Sequence, residues 1–214
     1  MIVAIDGPAG SGKGTVSKKL SELCGLIYID TGATYRAIAL KVLQNNIDLD
    51  DIGAIIDIAS KIDIKFTKDA KTIMDGVDVS DSIRTMEVTK IVSNISSIPE
   101  VRSYMVDLQR NMANFDDVIM EGRDITTVVL PNADYKFYLD ANVDVRVERR
   151  YLQNIEKGIT SSREEIKKSI IERDYNDMHK EVGSLKRIPE QIYIDTSDMT
   201  IDEVVDKIRK VIKR

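Results

Sequence analysis

Lys13 stands near the end of a run, Gly7-Pro8-Ala9-Gly10-Ser11-Gly12-Lys13-Gly14-Thr15, that follows the apolar segment Ile2–Ile5 and precedes a helical pattern. Four glycines in nine residues let the backbone turn with positive φ and approach a ligand where a Cβ would clash, so successive N–H groups can point inward. The helix behind the run adds its unpaired N–H groups and the positive end of its dipole. Lys13 adds a mobile cation for the outer phosphates, and the spacing from Gly7 to Lys13 is that of a phosphate-binding loop. The chemistry this predicts is the holding of a nucleoside triphosphate. Position 14, where many such loops carry a hydroxyl, is glycine, and a hydroxyl arrives only at Thr15. A divalent cation is therefore expected to be held largely by phosphates and water, with Thr15 as the candidate protein ligand.

Three further groups of residues have types and spacings suited to phosphate. Arg146, Arg149 and Arg150 lie at i, i+3 and i+4, so on a helix they share one face while Val143, Val147 and Tyr151 form another. A solvated charged face is the bland account; the guanidinium fork, matched to phosphate oxygens, is the functional one. Ile166, Ile170, Arg173, Asp177 and Lys180 fall on one helical stripe, so an apolar face becomes a charged one without rotating. That predicts a polar cleft at the helix's C-terminal part, against the alternative of a surface Arg173–Asp177 pair. Glu121-Gly122-Arg123-Asp124 follows an apolar strand directly, at the carboxyl end of the sheet where ligands bind in open α/β folds. An arginine and an aspartate there offer donors and an acceptor able to tell one base edge from another. His179, the one histidine, has no metal-ligand spacing around it and reads as a surface residue. No Ser/His/Asp arrangement is in evidence, which argues against a covalent hydrolase.

The elements that must position these groups are read from periodicity. Ile2–Ile5, Leu26–Ile29, Val118–Met120, Tyr135–Leu139 and Gln191–Ile194 are short apolar runs with polar tips, five parallel strands of an α/β domain. Helices are expected from Lys13 to Leu23 (apolar Val16, Leu20 and Leu23, stopped by Gly25), after Asp30 to about Asn45, and over Asp50–Lys61. Between the second and third strands the texture changes. Asp63–Thr67 alternates, Thr72–Val79 gives strand pieces broken by Asp75-Gly76, and helical runs cover about Met86–Ser96 and Glu100–Phe115, separated by Pro99. This reads as an inserted subdomain. A closing helix carries Ile201, Val204, Val205, Ile208, Val211 and Ile212 at i, i+3, i+4 spacing.

Size and composition bound the rest. A chain of 214 residues suits one large domain with insertions, and 43% hydrophobic with 31% charged residues is ordinary for a globular protein. A net charge of −5 disfavours broad binding to nucleic acid or anionic membrane, so a small partner is expected. No apolar run reaches the ~20 residues that span a bilayer, and Met1 leads straight into the first strand, giving the expectation of a cytoplasmic protein. The single Cys24 falls among Leu20, Leu23 and Leu26 and is expected to pack in the core.

With those residues in hand, the sequence resembles the bacterial cytidylate kinase family of nucleoside monophosphate kinases over essentially its whole length. GPAGSGKGT, DTGATYR, VDVSDSIRTMEV, EGRDITTVVLP and RDYNDMHKEVGSLK occur in the family's order. The first motif fits many kinases, while the set together is specific. The resemblance implies a P-loop kinase fold of three layers, with a five-stranded parallel sheet, an inserted monophosphate-binding domain and a small lid. It assigns 1–36, 116–150 and 181–214 to the core, 37–115 to the monophosphate-binding domain with an extended insertion about 63–99, and 151–180 to the lid and flanking helix, the lid itself being the segment from Arg146 to Arg163. The implied reaction moves the γ-phosphoryl of ATP to CMP or dCMP with Mg²⁺, in a monomer with no nucleic-acid or membrane partner.

Carried over residue by residue, the resemblance places ATP on Gly7, Pro8, Ala9, Gly10, Ser11, Gly12, Lys13, Gly14 and Thr15. Thr31, Arg36 and Arg123 would hold the CMP phosphate, Ser93, Arg102 and Asp124 would read cytosine, and Arg173, Asp177 and Lys180 would contact pentose or phosphate. Lys13, Arg123, Asp124, Arg149 and Arg150 would carry catalysis, by positioning and charge neutralisation, without a protein nucleophile. Four positions depart from the usual pattern: Thr31 stands for serine, Glu121 for aspartate, Thr126 for glycine and Lys180 for arginine. The rival readings are a kinase for another small acceptor, such as a different monophosphate or shikimate, and a non-catalytic nucleotide sensor. A regulatory GTP switch lacks its N-K-x-D motif here.

Overall fold

The structure, a computed structural model, describes residues 1–114, 117–156 and 158–212. The helix end expected at Phe115, Lys157 in the lid range, and Lys213 and Arg214 lie outside the described residues. Among the described residues five strands form the parallel sheet: β1 (Ile2–Asp6), β2 (Ile27–Asp30), β6 (Val118–Gly122), β7 (Tyr135–Asp140) and β8 (Ile192–Asp195). Their order is β2-β6-β1-β7-β8, so β1 is central and its neighbours follow it in opposite directions. Register sets Asp6 against Gly122 and Tyr138, and Asp30 against Glu121. Because every ladder is parallel, the loops after all five strands open on one edge of the sheet. The reversal of strand order beside β1 makes the crevice in which such folds bind ligands.

Two apolar layers cover the sheet, as its nearly continuous hydrophobic strands require. On one face Val3, Ile5, Ile119, Phe137 and Leu139 pack with Val16 and Leu20 of α1 (Lys13–Cys24) and Val204, Val205, Ile208 and Ile212 of α8 (Ile201–Ile212). On the other, Ala4, Ile29, Val118 and Met120 meet Val106 and Ala113 of α5 (Pro99–Ala113) and a π-helical turn, Ile125–Val129. Leu23 differs from expectation: it is 51% exposed. The buried arc of α1 runs through Lys13, Val16, Ser17, Leu20 and Ser21, and Leu23 lies at its edge. Cys24 is partly buried beside this cluster.

A second core joins α2 (Thr31–Gln44), α3 (Ile52–Lys61), β3 (Ile64–Phe66), β4 (Thr72–Met74) and α4 (Met86–Ser97) to the first half of α5. β3, β4 and β5 (Val77–Asp78) form an antiparallel meander with Asp75 and Gly76 at its tight turn, both at positive φ. Helix starts are locally written: Asp30, Asp51 and Thr85 each accept a backbone N–H as N-caps, and Pro99 opens α5. α5 belongs to both cores, with Val101 and Met105 in one and Val106 and Ala113 in the other. Arg102 is thereby held at the seam.

α6 (Val143–Glu156) and α7 (Arg163–His179) pair through Val147, Ile166 and Ile170, with Val143 and Tyr151 beside them. Ser162 and Glu165 form a reciprocal capping box at the start of α7. Arg163 binds Glu148 in α6 through two nitrogens at 2.7 and 2.9 Å and lies over the Tyr151 ring. These exposed contacts trim the hairpin, and the small apolar seam holds it. No described helix is long and apolar enough to cross a membrane.

Candidate active site

The loop after β1 turns with Gly10 and Gly12 at φ 79° and 90°, backbone that other residues rarely adopt. Side chains engage its carbonyls. Arg146 donates to Ala9 O at 3.0 Å and Lys13 Nζ to Pro8 O at 2.8 Å, while the Thr196 hydroxyl lies 3.1 Å from Ser11 O and 2.9 Å from Asp140 O, two acceptors for its one proton. Gly12, the residue capping α1, brings no side-chain cap to the helix's first turn, which leaves that turn to an anion. Lys13 is buried, and burial pulls its ammonium down to about 7, with Arg123 adding to the fall and Glu121 opposing it. Gly14 is where Glu121 approaches: a Cβ there would sit 3.2 Å from Glu121 Oε1 and 3.4 Å from the Tyr28 hydroxyl. Glycine at position 14 thus makes room for a carboxylate. Burial pushes Glu121 above the usual carboxylate range, and Asp30 adds to this.

The cations converge. Arg36 on α2 feels Arg84, Arg150 and Arg123, and Arg173 on α7 feels Arg123, Arg36 and Arg150. Burial first, and then this mutual repulsion, lowers Arg36 and takes Arg173 to about 10. Arg123 donates to Asp177 at 2.7 Å, and Lys180 lies 3.2 Å from the same carboxylate. Burial works against both charges of the Arg123–Asp177 pair, yet their attraction raises Arg123 and keeps Asp177 below the ordinary range. In place of the simple Arg173–Asp177 surface pair, Asp177 pairs with Arg123, a residue far from it in sequence. A basin of like charges, only partly neutralised, has the chemistry to hold a phosphate. Thr31 faces its floor, donating to Glu121 O at 2.8 Å, and Arg36 reaches Thr89 at 3.3 Å.

Beside the basin, Arg102 pairs with Asp124, and both are more than nine-tenths buried. Arg102 also donates to Ser96 O at 3.4 Å and lies 5.6 Å from the Tyr35 ring centre, while its buried Nε has no partner among the described residues. Burial pushes Asp124 up to about 6 against the pull of Arg102. A buried donor left over beside a carboxylate acceptor offers complementary groups that a planar ligand edge could pair with. Ser93 is exposed on α4, one turn before Ser96, whose hydroxyl receives Lys180 Nζ at 3.4 Å.

The three arginines of α6 divide. Arg146 is buried and consumed, holding Ala141 O, Ala9 O and Asp174. Arg149 clamps Thr196 through its hydroxyl at 3.1 Å and its carbonyl at 2.6 Å. Arg150 is exposed, bonded to Gln153 on its own helix, within electrostatic reach of Arg36 and Arg173. His179 is exposed, its ring against Tyr175. Sequence reasoning missed Arg84, 3.2 Å from Asp30, although it lies within a quoted motif just before the α4 cap. It also missed Asp174, the partner of Arg146; no local spacing signals a pair between two helices.

Comparison with known proteins follows this geometry. The family model described as cytidylate kinase matches residues 3–214. A cytidylate kinase of Lactobacillus gasseri is 47% identical over 217 residues, covering 100% of this chain and 94% of that protein. One from Streptococcus pneumoniae is 44% identical over 211 residues, covering 97% and 95%. Among solved structures, shikimate kinase from Bacteroides thetaiotaomicron matches with a TM-score of 0.51 at 11% identity, covering 100% of this chain and 99% of that one. A protein from Eubacterium ventriosum matches with 0.55 at 14%, covering 100% and 98%. At these identities the structural matches speak for the fold alone, a P-loop kinase architecture.

Proposed function

We propose, from the premise that this chain belongs to the cytidylate kinase family, a division of labour among its residues. The protein is a (d)CMP kinase, a phosphotransferase that moves the γ-phosphoryl of ATP to CMP or dCMP, giving ADP and CDP or dCDP. The observation that carries our assignment is the basin in which Lys13, Arg36, Arg123, Arg150 and Arg173 repel one another beside the buried Arg102–Asp124 pair. Residues 7–15 cradle the triphosphate. Thr31, Arg36 and Arg123 take the acceptor phosphate, Arg102, Asp124 and Ser93 read the base, and Arg173, Asp177 and Lys180 line the space between. The core (1–36, 116–150, 181–214), the acceptor-binding part (37–115) and the lid with its flanking helix (151–180) are then the bodies that close around the two nucleotides.

Oxygen donors at the cradle include the Glu121 carboxylate beside Gly14 and the exposed Thr15 hydroxyl. This sparse, hard set fits Mg²⁺, which keeps phosphate and water ligands and supplies charge neutralisation when bound. The chain's own work is alignment. Lys13 and the arginines hold donor and acceptor in line, and the closed lid excludes water as a competing acceptor. Asp124 accepts from the cytosine amine, and uracil, with a carbonyl at that position, meets the carboxylate as a second acceptor.

A coupled assay with ATP and each nucleoside monophosphate tests this, the expected order being CMP and dCMP well above UMP and the purines. Asp124→Asn should raise the KM for CMP by about 10²-fold, since a buried charged partner is lost, and narrow the CMP-to-UMP ratio. An unchanged ratio would remove Asp124 from base reading. The acidity of Asp124 gives a second test. As pH falls through about 6 the carboxyl takes a proton and loses its acceptor role, so kcat/KM for CMP drops below that pH. The phosphate of CMP also titrates near pH ~6. The contribution of Asp124 is therefore the difference between the wild-type and Asp124→Asn profiles, and superimposable profiles would refute it.

A further inference from the structure

Asp6, the last residue of β1 and the one before the phosphate loop, is completely buried, and neither phosphate binding nor base reading uses it. Its carboxylate accepts from the backbone N–H of Ile125 at 2.8 Å and of Thr126 at 2.9 Å, and from the Thr126 hydroxyl at 2.6 Å. Gln191 Nε2 reaches the same carboxylate at 3.4 Å and the Thr126 hydroxyl at 2.6 Å. The orientation of Gln191 is determined, because its Oε1 accepts from Ile188 N at 2.8 Å and so turns the amide nitrogen inward. Thr126 Oγ1 then receives one proton from Gln191 and gives its own to Asp6. Burial pushes Asp6 above the ordinary carboxylate range, and the Thr126 bonds are the largest opposing influence.

This network joins three places distant in sequence: the root of the phosphate loop, the turn after Arg123–Asp124, and the approach to β8 (Ile192–Asp195). Thr126 stands where the family resemblance expects glycine, which has no hydroxyl for such a chain. We propose that Thr126 and Gln191 are positioning residues that brace the Arg123–Asp124 turn against the root of the phosphate loop through Asp6. The inference rests on the assignment of Arg123 and Asp124 to the acceptor nucleotide. Its physical basis is that the turn carries both acceptor-binding groups within two or three residues of the brace, while the loop's own carbonyls are held independently by Arg146, Thr196 and Lys13. Loosening the brace should therefore blunt acceptor binding before donor binding.

The test is steady-state kinetics on Thr126→Val, Thr126→Ser, Gln191→Ala and Asp124→Asn, each with a thermal melt. Thr126→Val keeps the shape and deletes the hydroxyl. It should raise the KM for CMP about tenfold with the KM for ATP within about twofold, and loosen CMP-to-UMP discrimination, as expected for a misplaced reading group. Thr126→Ser should restore both, and Gln191→Ala should move in the same direction as Thr126→Val. If Thr126→Val proves too unstable to assay, Gln191→Ala carries the same readout. A shift in melting temperature with the ratio of the two KM values unchanged, or equal rises for CMP and ATP, overturns the brace. An unchanged CMP KM in Asp124→Asn overturns the site assignment beneath it, and a response there without one at Thr126 or Gln191 overturns the brace alone.

Discussion

Lys13→Met should lower kcat by at least about 10³-fold, the scale of losing a charge that stabilises the transferring phosphoryl group in a water-excluded site. The substitution is favourable to interpret because the fold does not need the ammonium. Pro8 O, its partner at 2.8 Å, also receives the Ser11 hydroxyl at 3.0 Å, and methionine fills a similar buried volume. Burial holds the Lys13 ammonium at about 7, far below its unfolded value, so the charged form costs the ligand-free protein stability at lower pH. Between about pH 7 and 10 the unfolded chain binds the extra proton, and wild-type stability should rise with pH from this group. Lys13→Met should melt no lower than wild type at pH 7 and lose that rise. Circular dichroism melts beside single-turnover phosphoryl transfer check both halves. A variant that melts much earlier, or that keeps turnover within tenfold, contradicts the assignment.

Arg150→Ala should also cut kcat by about 10³-fold while leaving the KM for either nucleotide within a few-fold, the pattern of an interaction made only in the transition state. Arg149→Ala should act differently. Its guanidinium already holds Thr196, whose hydroxyl lies within hydrogen-bond reach of Ser11 O in the phosphate loop and of Asp140 O. Its loss should loosen the loop and raise the KM for ATP, with a smaller fall in kcat. Arg150 is the arginine of α6 left exposed within reach of the basin, with, among the described residues, a same-helix Gln153 hydrogen bond to exchange for phosphate. Equal kinetic defects in the two variants would mean that the lid arginines are not divided as the ligand-free geometry divides them. Arg150→Lys should recover part of the rate, because charge returns but the planar fork does not.

Much of this site was legible as separate parts. The glycine spacing, the Arg123–Asp124 pair after an apolar strand and the stripe ending at Asp177 and Lys180 are local patterns, and local patterns survive reading one residue at a time. The five strands and nearly all helices lie within a residue or two of their periodicity, because caps such as Asp30, Asp51, Thr85 and Pro99 are also local. Where periodicity misled, as at Leu23, the burial arc of α1 was decided by what packs on it. Gly14 is a different case. Its spacing marked a missing hydroxyl, and the structure adds that a Cβ there would crowd Glu121, which approaches from another strand.

By itself the sequence determined which elements form, which chemistry they carry and, through a set of motifs in order, the family. The tertiary structure decided how those charges are spent. Arg102 with Asp124, Arg123 with Asp177, Arg146 with Asp174, and Asp6 with Thr126 and Gln191 are partners on different elements. Their pairing follows from strand order, parallel register and the seating of α5 and α7 against the sheet edge. Each pair joins elements far apart in the chain, and a slip of one residue in β1 would turn Asp6 to the opposite face of the sheet, so no reading of spacing along the chain can supply these partners. Spacing therefore marks Arg146 and Arg150 as equals, and the fold buries one as a strut and leaves the other exposed within electrostatic reach of Arg36 and Arg173.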